Sequence, residues 1–140
     1  ECDMERRPVP KMMADLVAFN ERVRPTVTGI EGVAFQELLA PDYIQAQHEM
    51  GVYRDEPVLI DNTVNKQLRI GRLGLWLRLH MLKIKRNAGG LLLLEQLKGF
   101  PNAEHDDGPD CLEVALRLLM QLSEELESIQ QTAGIRLTVS

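Results

Sequence analysis

The stretch Glu104–Leu112 holds four carboxylates and an imidazole, Glu104, His105, Asp106, Asp107 and Asp110, immediately before a strongly apolar helical segment. Asp107 and Asp110 are three residues apart. A helix beginning near Pro109 sets such a pair close to one face. Carboxylates gathered this way repel and raise one another's pKa values, and a bound cation relieves that. Oxygen ligands of this kind suit Mg²⁺ or Mn²⁺. The ordinary alternative is a solvated acidic loop that caps a helix and complements its dipole.

A second acid stands elsewhere in the chain. Thr26-Val27-Thr28-Gly29-Ile30 reads as a short β-branched strand, and Glu31 follows it, then Gly32. In open sheets of parallel strands, ligands bind beyond the carboxyl ends of strands, where Glu31 would sit. Glu31 from a strand end, with Asp107 and Asp110 from a helix start, is a set that can converge on one or two metal ions. Two such ions activate a water and stabilise the leaving oxygen of a phosphodiester. Asp106 is the neighbouring candidate ligand, and Asp107 is preferred because it completes an Asp-x-x-Asp spacing. Taken alone, Glu31 reads equally as a loop acid.

Charge is unevenly spread. The chain carries a net charge of −5, yet between Asn62 and Leu94 there is no Asp or Glu. That window holds Lys66, Arg69, Arg72, Arg78, Lys83, Lys85 and Arg86. A basic strip beside an acidic cluster suits a metal-dependent enzyme acting on a polyanion. The candidate DNA contacts are Lys66, Arg69, Arg72, Lys83, Lys85 and Arg86, with Lys66 and Arg69, one helical turn apart, foremost. The alternative is a solvated helix face whose acids lie elsewhere in space.

The elements that must position these residues alternate. A helix opens at Pro8-Val9-Pro10 and runs to about Val23, where Pro25 stops it. The strand at Thr26–Ile30 follows, then helical pieces over Val33–Leu39 and Asp42–Met50, interrupted by Pro41. Pro57–Ile60 is a second strand, Asn65–Leu77 a helix weakened by Gly71 and Gly74, and Leu79–Ile84 a third strand that puts Lys83 and Lys85 on one face. Gly89-Gly90 is a breaker, Leu91–Lys98 a short helix, and Phe100–Gly108 a loop. Leu112, Ala115, Leu116, Leu119, Leu122, Leu126 and Ile129 recur at helical spacing and mark the last helix. Residues 131–140 read as a terminal strand or tail. Alternating helices and strands predict an α/β layered domain with a largely parallel sheet.

At 140 residues the chain fits one domain with a real core. Two cysteines, Cys2 and Cys111, without zinc spacing argue against a disulfide framework and make a reducing cytoplasm the default. No unbroken apolar run is long enough to span a membrane. The chain opens on Glu1 rather than Met, so upstream sequence is allowed for. His48, His80 and Trp76 read as structural residues.

Several motifs, taken in order, resemble phage terminase large subunits. They are Thr-Val-Thr-Gly-Ile-Glu (Thr26–Glu31), Asn65-Lys66-Gln67-Leu68-Arg69-Ile70, Phe100-Pro101, and His105-Asp106-Asp107-Gly108-Pro109-Asp110-Cys111-Leu112. In that family such motifs belong to the C-terminal nuclease, a domain of RNase H-like fold. The resemblance covers about residues 5 to 120. It implies an RNase H-like layered sheet with helices on both faces, here lacking its first strands. It further implies a metal-dependent endonuclease that cuts double-stranded DNA during phage genome packaging. Glu31, Asp106, Asp107 and Asp110 become the implied Mg²⁺ or Mn²⁺ ligands, and His105 an outer group or proton shuttle. Double-stranded DNA, the portal and the small terminase subunit become the implied partners, in the cytoplasm of a bacterial host. RuvC-type junction resolvases carry a similar Asp-x-x-Asp-Ala-Leu run at their last helix. Three departures stand out. Cys111 replaces the usual Ala, the first-strand Asp that such a site needs has no counterpart, and there is no G-x-x-x-x-G-K-[ST] phosphate loop. The competing expectations are a nuclease-dead prophage remnant that binds DNA or a partner protein, and a RuvC-like junction resolvase.

Overall fold

The computed structural model describes residues 4–32, 39–53 and 56–133. Its first helix, α1 (Val9–Val23), begins as the two prolines require, with Pro8 at the cap and Pro10 inside the first turn. Met13, Val17 and Asn20 recur at helical spacing and are its buried residues. The residue before a proline is pushed out of the right-handed helical region. Arg24, just before Pro25, leaves that region through a left-handed C-cap (φ 51°), the usual conformation at a helix end, and its amide closes the helix on the Asn20 carbonyl. Asn20 Nδ2 also donates to Thr28 Oγ1 (2.9 Å), which ties the end of α1 to the segment that enters the first strand.

That strand, β1 (Gly29–Glu31), pairs in parallel with β2 (Val58–Ile60) in the register Gly29↔Val58, Ile30↔Leu59, Glu31↔Ile60. Parallel pairing needs a crossover, and α2 (Ala40–Met50) lies within it. Pro41 falls in the first turn of α2, where its missing amide costs nothing. Gly51, at φ 64°, ends α2 in the left-handed conformation that glycine adopts without a Cβ penalty. Helices α1 and α2 close on a core of Met13, Val17, Tyr43 and Ala46, with Leu16, Ile30 and Val52 packed around it.

The second half is helical. It comprises α3 (Lys66–Gly71), α4 (Leu73–Arg78), α5 (Ala88–Gly99) and the long α6 (Asp107–Ala133). The expected helix over Asn65–Leu77 is thus two short helices meeting at Arg72. Asn65 and Asn87 cap α3 and α5, accepting from Gln67 and Gly90 amides at 2.8 and 2.9 Å. The Asn87 cap carries the chain through Gly89-Gly90, which open a helix and do not break one. Gly29 lets α6 approach the strands: a Cβ there would stand 2.7 Å from Ile60 Cδ1 and 2.9 Å from Leu118 Cδ2.

The expected α/β, RNase H-like layered sheet with helices on both faces is not what this chain builds. Among the described residues the sheet has two strands of three residues each, and most of the chain is helical. Leu79–Ile84, expected as a third strand, curls back on α4. The Met81 and Leu82 amides both donate to the Trp76 carbonyl (3.0 and 3.4 Å), and His80 is left-handed at φ 57°. Amides turned back on the preceding helix are not presented to a neighbouring strand. Residues 134–140 of the expected terminal strand or tail and most of the helical piece Val33–Leu39 lie outside the described residues. Residues 131–133 are the last of α6. No described helix is long and apolar enough to cross a membrane.

Candidate functional site

The acids and bases singled out by spacing lie along one polar track on α6. Asp110 and Glu113 share a face because they are three residues apart on a helix. Lys66 and Arg69 do the same on α3, which packs against α6. Lys66 Nζ donates to Asp106 Oδ1 (2.8 Å) and lies 3.4 Å from Asp110 Oδ2. Arg69 Nη1 donates to Glu113 Oε2 (2.8 Å) and stands 2.8 Å from Asp110 Oδ1. That last contact is an ion pair without hydrogen-bond alignment: Asp110 Oδ1 is buried and accepts no hydrogen bond among the described residues. Arg69 Nε donates to the Val64 carbonyl (3.2 Å). The Arg69 and Glu113 side chains are only 5% and 7% exposed, so this pair is held out of water.

The track continues toward the strands. Arg117, one turn beyond Glu113, stands 3.6 Å from it and donates to Asn62 Oδ1 (2.6 Å) and the Asp61 carbonyl (3.4 Å). Asn62 Nδ2 donates in turn to Glu31 Oε1 (3.2 Å). Glu31 ends β1 and Asp61 directly follows β2, so both acids sit at the same carboxyl edge of the parallel pair. From Glu31 the contacts run through Asn62, Arg117, Glu113, Arg69, Asp110 and Lys66 to Asp106.

Electrostatics follow from this geometry. Burial pulls the Lys66 pKa down, but its hydrogen bond to Asp106 and the charges of Asp110 and Asp106 outweigh that and hold it above its ordinary value. Arg69 behaves alike: burial opposes its charge, and Glu113 and Asp110 more than restore it. The cations foremost among the expected phosphate contacts are therefore engaged by the protein's own acids.

The remaining expected residues are placed as follows. Asp107 is exposed at the start of α6 and joins no ion pair among the described residues. The structure thus brings Asp106, not Asp107, together with Asp110 on Lys66. His105 is exposed, 3.9 Å from Glu104. Arg72, Lys83, Lys85 and Arg86 are exposed. Cys111 is exposed and forms no disulfide among the described residues, and Cys2 lies outside them. No three His, Cys, Asp or Glu side chains among the described residues converge as a metal site would require. Asp61, Asn62, Glu113 and Arg117 were not singled out from sequence. Asp61 carried a readable signal, an acid directly after the Val58–Ile60 run, whereas Glu113 and Arg117 look like ordinary surface residues of an amphipathic helix.

The fit to a hydrated Mg²⁺ or Mn²⁺ is set by Asp106 and Asp110. Both reach one cationic point, now held by the Lys66 ammonium, and Mg²⁺ commonly takes only one or two protein carboxylates, completing its shell with water and phosphate. No family model, curated protein or solved structure matches this chain.

Proposed function

We propose that this chain is the C-terminal part of a metal-dependent endodeoxyribonuclease of the terminase kind, acting on double-stranded DNA during phage genome packaging, with an incomplete site in this stretch. One observation carries it: the acids of separate sequence motifs, Glu31, Asp106 and Asp110, lie on one continuous polar track beside α6. Asp106 and Asp110 would hold a Mg²⁺ or Mn²⁺ once Lys66 swings away. A divalent ion supplies nucleophile activation and charge stabilisation for phosphodiester hydrolysis. Arg69 keeps Asp110 in place, and the displaced Lys66 becomes available to a phosphate. The exposed Arg72, Lys83, Lys85 and Arg86 supply the remaining positive surface. The portal and the small terminase subunit would be its protein partners.

The test has two parts. A Mn²⁺ titration of this chain followed by NMR should broaden Asp106, Asp110 and their neighbours first, and unperturbed resonances there would remove the cation site. In a longer protein with upstream sequence restored, Asp110→Ala or Glu31→Ala should lower Mn²⁺-dependent plasmid nicking about a hundredfold or more, since each lost contact costs several kcal/mol of barrier.

A second reading is a nuclease-dead remnant that binds DNA or a protein. It is favoured by the internal neutralisation of Asp106, Asp110 and Glu113 by Lys66 and Arg69. It predicts no nicking by the longer protein under any divalent ion. Either way, replacing Lys83, Lys85 and Arg86 by Ala should weaken duplex DNA binding for every sequence and flatten its salt dependence by about 2 to 3 log units per log unit of salt. Unchanged binding would remove that strip from the interface.

A further inference from the structure

The chain leaves α4 through a fixed, exposed tip. The helix closes in a Schellman arrangement. The Met81 amide donates to the Trp76 carbonyl (3.0 Å), the His80 amide donates to the Leu77 carbonyl (3.1 Å), and His80 is left-handed at φ 57°. Glycine takes that position without strain; here it carries an imidazole exposed to solvent. The residues on either side of it, Leu79 and Met81, are 57% and 64% exposed. Beyond them Leu82 and Ile84 are half-buried while Met81, Lys83 and Lys85 are exposed, the alternation of an extended chain. The far end is pinned as well. The Lys85 carbonyl accepts from the Asn87 amide (3.0 Å) and lies so close to Gly90 that a Cβ there would overlap it.

Charge selects the occupant. Arg78, Lys83, Lys85 and Arg86 surround the tip in sequence, all four are exposed, and none joins an ion pair among the described residues. Lys66 and Arg69, by contrast, are spent on Asp106, Asp110 and Glu113. With no Asp or Glu between Asn62 and Leu94, the tip sets uncompensated cations around two exposed aliphatic side chains. Cations alone meet phosphates and give Leu79 and Met81 nothing to do. Proteins that bend a duplex insert such aliphatic side chains between base steps from the minor groove. A backbone hydrogen-bonded at both ends suits that task, because a wedge that yields does not unstack bases.

We propose that Leu79 and Met81 form a wedge that enters the minor groove of duplex DNA and opens a base step. Arg78, Lys83, Lys85 and Arg86 take the flanking phosphates, and the His80 imidazole between the two apolar side chains meets the base-edge acceptors of that groove. The proposal rests on the reading that this chain acts on double-stranded DNA, and adds to it a bent substrate and a preference for steps that unstack easily.

The probe is a duplex of about 20 base pairs with a donor and an acceptor dye at its ends, carrying either a central TA step or an uninterrupted A-tract. Divalent ions are left out, so binding is read apart from cleavage. The chain should draw the dyes together on the TA duplex and prefer it at least about fivefold over the stiff A-tract. Leu79→Ala with Met81→Ala should abolish both the bend and the preference, with the salt dependence of the remaining affinity unchanged because the phosphate contacts stay. Both side chains are exposed, so circular dichroism should not change. Lys83→Ala with Lys85→Ala should do the reverse, weakening both duplexes and lowering the salt slope by about 2 while the TA preference survives. Binding without a change in dye distance, or a bend that persists in the Leu79→Ala, Met81→Ala protein, would overturn the wedge and leave the cationic strip standing. No binding to either duplex would overturn the strip and the wedge together. Binding to phosphatidylserine vesicles that is lost in the same variant, with no bending of DNA, would also overturn the proposal and assign the tip to a lipid surface.

Discussion

The α1–α2 core and the α3–α6 seam bury side chains of similar size by opposite means. In the first, Met13, Val17, Tyr43 and Ala46 close on one another without charge. In the second, Arg69 and Glu113 are nearly as buried but are ionised, and they hold their place through Asp110, Lys66 and Arg117. Apolar packing tolerates the loss of one member by partial collapse. A buried ion pair does not, because the survivor keeps its charge and loses its partner. The ionic seam should therefore be the more brittle of the two, although it contributes less net stability when intact.

The largest effect should come from breaking the seam on one side. Arg69→Met leaves the buried Glu113 with only Arg117, at 3.6 Å, and strips the buried Asp110 Oδ1 of the cation beside it, which should cost about 3–5 kcal/mol in chemical denaturation. Adding Glu113→Leu should recover much of that loss, since replacing both members of a buried pair by apolar groups is often near neutral. A double variant as unstable as the single one would mean that Glu113 is not the group stranded. Next comes the core. Met13→Ala should cost about 2–4 kcal/mol, with no rescue available from a second truncation, because each deletion enlarges the cavity. Gly29→Ala should follow at about 1–3 kcal/mol, the cost of overpacking where Ile60 and Leu118 already press on the backbone. A neutral result there would show that α6 moves aside freely.

These regions also differ in how far they can be read from sequence. The stripe of α1, with Pro25 behind it, was legible because helix periodicity and proline are local signals. So was the Val58–Ile60 strand. The apolar stripe of α6 was legible too, but its burial was not: periodicity reports a shared face and not what covers it, and Leu119, Leu126 and Ile129 stay exposed. The layered sheet failed because Leu79–Ile84 has strand composition and no strand partner, and its amides instead bond to the Trp76 carbonyl. Strand pairing is a long-range property, and residue type alone does not report it. In the candidate site, the cluster Asp106–Asp110 and the bases Lys66 and Arg69 were each visible. What was not visible is that they pair with each other, some 40 residues apart in the chain. A spacing argument sees one element at a time, so Lys66 and Arg69 read as phosphate contacts and Asp107 as the natural partner of Asp110. Glu113 and Arg117 take part only because α3 and Asn62 face them.

The smallest effect separates the exposed end of the seam from its buried middle by pH. Lys66 is raised above its ordinary pKa by Asp106 and Asp110, so the folded protein holds this proton more tightly than the unfolded chain. The stability it contributes is fully present below about pH 10, beneath the pKa of an unperturbed lysine, and is lost as pH rises through the higher value of the folded state. The side chain is 39% exposed, so solvent screening limits the contribution to under about 1 kcal/mol. Arg69 is shifted in the same direction but stays charged throughout that range. Alkaline destabilisation should therefore be shallow in the parent, shallower still in Lys66→Met, and unaltered by mutations in the α1–α2 core. Urea midpoints between about pH 9 and about pH 11 measure it. If Lys66→Met followed the parent curve point for point, the Lys66 contacts with Asp106 and Asp110 would carry no proton-linked stability, and the brittleness of the seam would rest on Arg69 alone.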